Sequence, residues 1–129
     1  MTAFGANASW RGVTPGDLEA VTTLADTIHA DYPEDKAIFA ERLHLAPEGC
    51  LVLDHEGTPG GYLISHPWRG LVCPPLNALL HALPPPADRW YLHDLALAPA
   101  LPGGGHARTA IAHLRPLART PRLRRLPLT

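Results

Sequence analysis

The stretch that most limits how this chain can fold is a strand pattern that runs straight into glycines. Residues 90–97 (WYLHDLAL) carry the strongest β pattern of the sequence, and they continue into Ala98-Pro99-Ala100-Leu101-Pro102-Gly103-Gly104-Gly105. A helix pattern over residues 106–119 follows at once, with Ala107, Ala110, Ile111 and Leu114 on one side. A strand, a glycine turn and a helix N-terminus in this order form an anion-binding arrangement, because unpaired backbone N–H groups and the helix dipole converge on one point. Glycine suits such a nest because it tolerates positive φ and holds no side chain between a phosphate and the amides. Three consecutive glycines are also an ordinary flexible turn, so the surrounding residues must decide.

Upstream, residues 9–13 read as a short strand. Thr14-Pro15-Gly16-Asp17 offers an N-cap hydroxyl, a proline at the first helical position and an acid at the third, which starts a helix with Leu18, Val21, Leu24, Ala25 and Ile28 on its apolar face. Asp31-Tyr32-Pro33 breaks it, since proline disfavours helical geometry in the residue before it. Glu34-Asp35 suit the start of a second helix, with Ile38, Phe39, Leu43 and Leu45 turned inward; Pro47-Glu48-Gly49 ends it. Residues 50–53 and 61–66 read as an antiparallel hairpin across the turn formers of residues 54–60. The proline-rich stretch 67–88 reads as a surface excursion with one short helical turn over 76–81, and residues 123–128 as the start of a further strand.

The chain has 129 residues, 46% hydrophobic and 18% charged, enough apolar material for one packed domain over residues 1–129. A net charge of −1 argues against a dedicated nucleic-acid binder. Every acidic residue lies at or before Asp94, whereas Arg108, Arg115, Arg119, Arg122, Arg124 and Arg125 follow it, so an anionic ligand is drawn to the C-terminal half. Cys50 and Cys73 lack CxxC spacing, and neither a signal peptide nor a long apolar run is present, which points to a reduced, cytoplasmic protein with no membrane partner. The eight histidines fit no ligand spacing, and no metal is expected. A hydrolytic triad lacks its Gly-x-Ser-x-Gly elbow, and a Rossmann site lacks its early Gly-x-Gly-x-x-Gly. The prolines and glycines set against a single lysine suggest a bacterial coding sequence of high GC content.

The run Tyr91-Leu92-His93-Asp94-Leu95-Ala96-Leu97 through Pro102-Gly103-Gly104-Gly105-His106-Ala107 resembles the central motif of the GNAT superfamily of acetyl-CoA-dependent N-acetyltransferases. That motif is a hydrophobic strand, a proline, then Arg/Gln-x-x-Gly-x-Gly/Ala opening a helix. Gly103, Gly105 and Ala107 fall on its small positions, whereas Pro102 stands where the family has arginine or glutamine. Tyr32-Pro33-Glu34, Phe39, Arg42-Leu43, Gly61-Tyr62 and Ser65-His66-Pro67-Trp68 resemble a bacterial GNAT subgroup of undefined substrate. The resemblance covers residues 9–128 and implies an α/β (α+β) fold, a mixed, mostly antiparallel central sheet flanked by helices.

It also implies direct transfer of acetyl from acetyl-CoA to a small-molecule or peptide amine. The backbone of Leu95, Ala96 and Leu97 is then expected to pair with the pantetheine arm, and one N–H to polarise the thioester carbonyl. Residues Pro102, Gly103, Gly104, Gly105, His106 and Ala107, with Arg108, hold the diphosphate. Proline at 102 removes an N–H donor and a cation, which implies cofactor binding about tenfold weaker. His93 is the proposed general base and Asp94 its neighbour; strand alternation places these two on opposite faces, so no dyad is expected. His93 as cleft wall, with Asp94 bonding backbone, is the competing reading. Tyr32 and Glu34 shape the acceptor pocket, or Glu34 caps a helix.

Family members continue past the fifth strand with a helix and a final strand pair, and this sequence stops at Leu128-Thr129. The expectation is therefore a C-terminally incomplete fold lacking the last helix and strands. An unpaired sheet edge of that kind is relieved by homodimerisation, strand exchange or aggregation. A catalytically inactive acyl-CoA-binding or partner-binding module on the same fold is the alternative.

Overall fold

The computed structural model describes residues 8–99, 101 and 104–119. Four strands, β1 (Ala8–Gly12), β2 (Cys50–His55), β3 (Thr58–Trp68) and β4 (Arg89–Leu97), pair antiparallel in that order. Two helices, α1 (Leu18–Ile28) and α2 (Lys36–Leu45), lie between β1 and β2, and α3 (His106–Ala118) follows β4. The anticipated strand over residues 123–128 lies outside the described residues.

The start of α1 is fixed by charge as well as by capping. The Thr14 N–H donates to Asp17 Oδ2 at 2.8 Å, and Arg11 brackets the same carboxylate with Nη1 at 2.8 Å and Nη2 at 3.0 Å. Those Arg11 hydrogen bonds hold the Asp17 carboxyl far below the ordinary carboxylate range, against the opposing effect of burial. Beyond it, Leu18, Val21 and Ala25 of α1 and Phe39 of α2 pack on Val52, Tyr62, Ile64 and Ala96 of the sheet. On the opposite face Ala110, Leu114 and Ala118 of α3 pack on Leu63 and Trp90. The sheet is thus a layer between α1 and α2 on one side and α3 on the other.

The β2–β3 hairpin is tighter than the sequence suggests. Glu56 and Gly57 both have positive φ (54° and 85°), the geometry of a two-residue turn, so the strands run on to His55 and restart at Thr58. At Gly61 a Cβ would meet Leu97 Cδ2 at 2.7 Å and the Ala96 carbonyl oxygen at 2.9 Å; glycine lets β3 and β4 approach there. Between β3 and β4 the register slips once: Ile64 faces Asp94 but Ser65 faces Leu92, leaving His93 as the extra residue of a bulge.

The connection of residues 69–88 is a strap over α2, and the helical turn anticipated at 76–81 does not form. Asn77 and His81 take positive φ (56° and 66°), and the N–H groups that a helix would direct to its own carbonyls go to carboxylates instead. Glu34 Oε2 accepts from Asn77 at 2.9 Å, while Glu41 accepts from Leu80 at 2.6 Å and His81 at 2.8 Å. Among the described residues no helix is long and apolar enough to cross a membrane.

Candidate functional site

The turn before α3 opens on a cleft of about 360 Å³ lined by Leu97, Ala98, Leu101, Gly104, Gly105, His106, Ala107 and Arg108. Gly105, at the N-cap of α3, has φ 74°, which an L side chain adopts only under strain. Cβ atoms built at Gly104 or Gly105 meet nothing within 4 Å, so glycine here leaves room for something outside the protein. Trp10 fixes the start of the helix by donating its indole N–H to the His106 carbonyl at 2.9 Å. A helix start, a left-handed glycine and an exposed Arg108 fit a diphosphate. Two residues assigned to this cradle from sequence, Pro102 and Gly103, lie outside the described residues.

Beyond the cleft, Ala98 donates its N–H to Gly60 O at 2.8 Å, which fixes the phase of the ladder. Alternation turns the amide of Ala96 toward Tyr62 on β3 and those of Leu95 and Leu97 to the other edge of β4, which pairs with no strand among the described residues. Of the three residues expected to pair with a pantetheine arm, Leu95 and Leu97 direct their amides away from β3, with no strand partner among the described residues, whereas the amide of Ala96 is taken up by β3.

The bulge overturns the placement of His93 and Asp94 on opposite faces. One extra residue cancels the alternation, so both side chains point to the α1–α2 side, while Leu92 and Leu95 on either side of them pack with α3. They still do not pair with each other. His93 Nε2 lies 2.7 Å from Glu34 Oε1, with side chains 5% and 4% exposed. Asp94 Oδ2 accepts the Tyr62 hydroxyl at 2.6 Å, and Asp94 Oδ1 lies 3.1 Å from His29 Nε2, in ion-pair range although not aligned as a hydrogen bond. The strand contributes imidazole to one pair and carboxylate to the other, and both ends of the α1–α2 connection are pinned to the bulge.

Burial works against the Glu34 carboxylate, but the His93 hydrogen bond, its charge and the Asn77 amide outweigh it, leaving the group ionised below its ordinary range. The Glu34 carboxylate accepts the Nε2–H of His93 and leaves Nδ1 buried and without a hydrogen bond among the described residues, so in the neutral form of the ring the lone pair is on Nδ1. Glu34 is therefore not a helix cap; Asp35 occupies the N-cap position of α2. Burial and the Asp94 hydrogen bond raise the Tyr62 hydroxyl well above its usual range, so it donates to Asp94 and stays neutral. Tyr32 is 67% exposed on the α1–α2 connection and, among the described residues, makes no side-chain hydrogen bond to this cluster.

Four neighbours were not singled out as site residues from sequence. Arg42 is fully buried, its Nη1 3.1 Å from Glu41 Oε1 and 3.4 Å from Ala78 O, and burial lowers its pKa against the pull of Glu34 and Glu41. His66, fully buried, is brought down to about 4 by desolvation. His29 and Tyr62 complete the group. Arg42, Tyr62 and His66 lie in stretches that resemble a GNAT subgroup, but no local signal groups them with His29, because the four come together only through the bulge and the helix packing.

The model of the acetyltransferase (GNAT) family matches residues 18–129. The chain belongs to that family. Among solved structures, the GphF GNAT-like decarboxylase in complex with isobutyryl-CoA shares this GNAT fold with a TM-score of 0.76 at 24% identity, over 89% of this chain and 62% of that one. Ard1 from Thermoplasma volcanium gives 0.67 at 15% identity, over 88% and 65%. Arabidopsis thaliana Naa50 in complex with the bisubstrate analogue CoA-Ac-MVNAL gives 0.67 at 13% identity, over 95% and 70%. At these identities the likeness is one of fold, and this GNAT chain spans 62% of the length of the GphF chain. A comparison with curated proteins gave no match. The GNAT fold supports acetyl-CoA-dependent acyl transfer in general.

Proposed function

We propose that this GNAT chain moves the acetyl group of acetyl-CoA to a primary amine by direct attack. The observation that carries this reading is the alignment of three parts along β4: the cleft at its C-terminal end, the amides of Leu95 and Leu97 directed away from β3, and the bulge with His93. Gly104, Gly105 and the first turn of α3, with Arg108, hold the diphosphate. Acetyl-CoA supplies the activated thioester carbon. The amide of Leu95 or Leu97 polarises its carbonyl, and His93 Nδ1 takes the proton of the attacking amine while Glu34 holds the imidazole. Asp94, tied to Tyr62 and His29, keeps the bulge in shape. We place the activity in the cytoplasm, in keeping with the free thiols of Cys50 and Cys73.

A second reading, acyl-CoA binding without turnover, is favoured by the enclosure of His93 and Glu34, 5% and 4% exposed. Thermal shift with acetyl-CoA, CoA and buffer, followed by free-thiol release with an amine panel, separates the two. Stabilisation with thiol release supports transfer, stabilisation without release supports the binding module, and neither result leaves a reading standing if acetyl-CoA does not stabilise the protein.

A further inference from the structure

Building on the acyl-transfer reading, we propose that the groove between Trp68 and the strap of residues 69–88 receives the acceptor, a primary amine on an aliphatic body that carries a carboxylate. The groove has a volume of about 510 Å³, and its walls include Trp68, Val72, Pro74, Leu79 and Pro84. Its location follows from strand alternation. Trp68, His66 and Tyr62 share the α1–α2 face of β3, and Tyr91 and His93 share that face of β4. Trp68 pairs with Arg89 at the N-terminal end of β4, so the groove and the diphosphate cleft open at opposite ends of one strand with the bulge between them. Four residues separate Arg89 from His93, about 13 Å of strand at about 3.3 Å per residue.

The chemistry of the walls selects the guest. Prolines and aliphatic side chains dominate, Arg69 is the one charged residue in the lining, and no carboxylate lines the groove. Arg69 forms no ion pair among the described residues: its Nη1 donates to the Pro85 carbonyl at 3.5 Å, and the Asp88 carboxylate, already tied to the Gly70 N–H and to Arg89, acts on it only from a longer range. Apart from Tyr32, the exposed large apolar side chains of the described residues all lie on the strap: Leu71 at 78%, Val72 at 84%, Leu76 at 51% and Leu79 at 47%. Two of these, Val72 and Leu79, line the groove; an aliphatic guest covers them, and a carboxylate answers Arg69.

The groove is also joined to the proton-accepting pair. Cys73 of the strap and Tyr91 line one small cavity beside Trp68, and the Tyr91 ring stands 6.3 Å from that of His93. Asn77 of the same strap donates to the Glu34 carboxylate that orients His93. A guest that moves the strap therefore moves the wall beside the imidazole.

The test titrates the full chain, saturated with CoA, with 6-aminohexanoate, hexylamine and 1,5-diaminopentane in a calorimeter. Wild type is expected to bind 6-aminohexanoate at least tenfold tighter than the diamine. Leu79→Asp is expected to weaken 6-aminohexanoate at least tenfold, and Arg69→Gln to remove its advantage over hexylamine, with acetyl-CoA affinity and melting temperature unchanged in both variants. The groove assignment is overturned if wild type does not bind 6-aminohexanoate, if the diamine binds as well, or if neither variant alters binding. Failure of wild type to bind acetyl-CoA instead defeats the acyl-transfer reading on which the assignment rests, and the two failures are read from separate titrations.

Discussion

Gly105→Glu tests the cofactor cradle most directly, because the structure separates its effect on the fold from its effect on the ligand. Gly105 has φ 74° and a Cβ there meets nothing within 4 Å, so the substitution brings backbone strain but no clash inside the protein. Strain of about 1 kcal/mol lowers the melting temperature by about 4 °C in a chain of this size. Gly57 is the matched control: its φ is 85°, its Cβ position is equally open, and it lies in the β2–β3 turn. Gly57→Ala is expected to show a comparable loss of stability with no loss of CoA affinity. In Gly105→Glu the new carboxylate faces the diphosphate. At about 4 Å the repulsion ranges from about 1 to about 4 kcal/mol between water and a partly shielded surface. Every ~1.4 kcal/mol is tenfold, so we expect roughly a hundredfold loss, read by calorimetric titration with CoA and acetyl-CoA. CoA affinity within threefold of the Gly57→Ala control would falsify the cradle and place the phosphates elsewhere.

Three further outcomes are expected. Glu34→Gln should lower the rate of thiol release about tenfold to a hundredfold through loss of the carboxylate that orients His93, while acetyl-CoA affinity stays put; an unchanged rate removes His93 and Glu34 from catalysis. Because burial brings His66 down to about 4 from an ordinary value near 6.5, the unfolded chain binds the extra proton first, and stability declines as pH falls from about 6.5 to about 4. His66→Asn, able to donate to Pro67 O in place of Nδ1, should flatten that decline in denaturation curves taken across the range. Asp17 has the opposite linkage: its folded pKa is depressed by Arg11, so its contribution is present above about pH 4 and lost on further acidification; Asp17→Asn should be less stable at pH 7 and converge with wild type in acid.

Much of the fold is legible because its signals are local. The Thr14-Pro15-Gly16-Asp17 start, the Pro33 break and the apolar periodicity of α1 each rest on neighbouring residues, and all appear where the sequence places them. The order of β4, a glycine turn and the start of α3 is legible for the same reason, since the three are contiguous in the chain. What escapes is set by long-range pairing. A one-residue register slip between β3 and β4 brings His93 and Asp94 to one face, and no run of ten residues around them announces it. The helical turn over 76–81 fails because the carboxylates of Glu34, just before α2, and of Glu41, within it, more than thirty-five residues earlier, capture its N–H groups. Arg42 reads as a polar position on a helix and is buried because Glu41 and the Ala78 carbonyl meet it there.

The indole that anchors the start of α3 also makes the protein its own optical reporter. Of the three tryptophans, Trp10 donates to His106 O at the rim of the cleft, Trp68 walls the groove under the strap, and Trp90 sits in the core with its N–H on Ser65 Oγ. Indole emission depends on its surroundings, so variants that keep one tryptophan at a time assign a fluorescence change to one location. Filling the cleft perturbs the first, filling the groove perturbs the second, and the third tracks global unfolding, all without an attached dye.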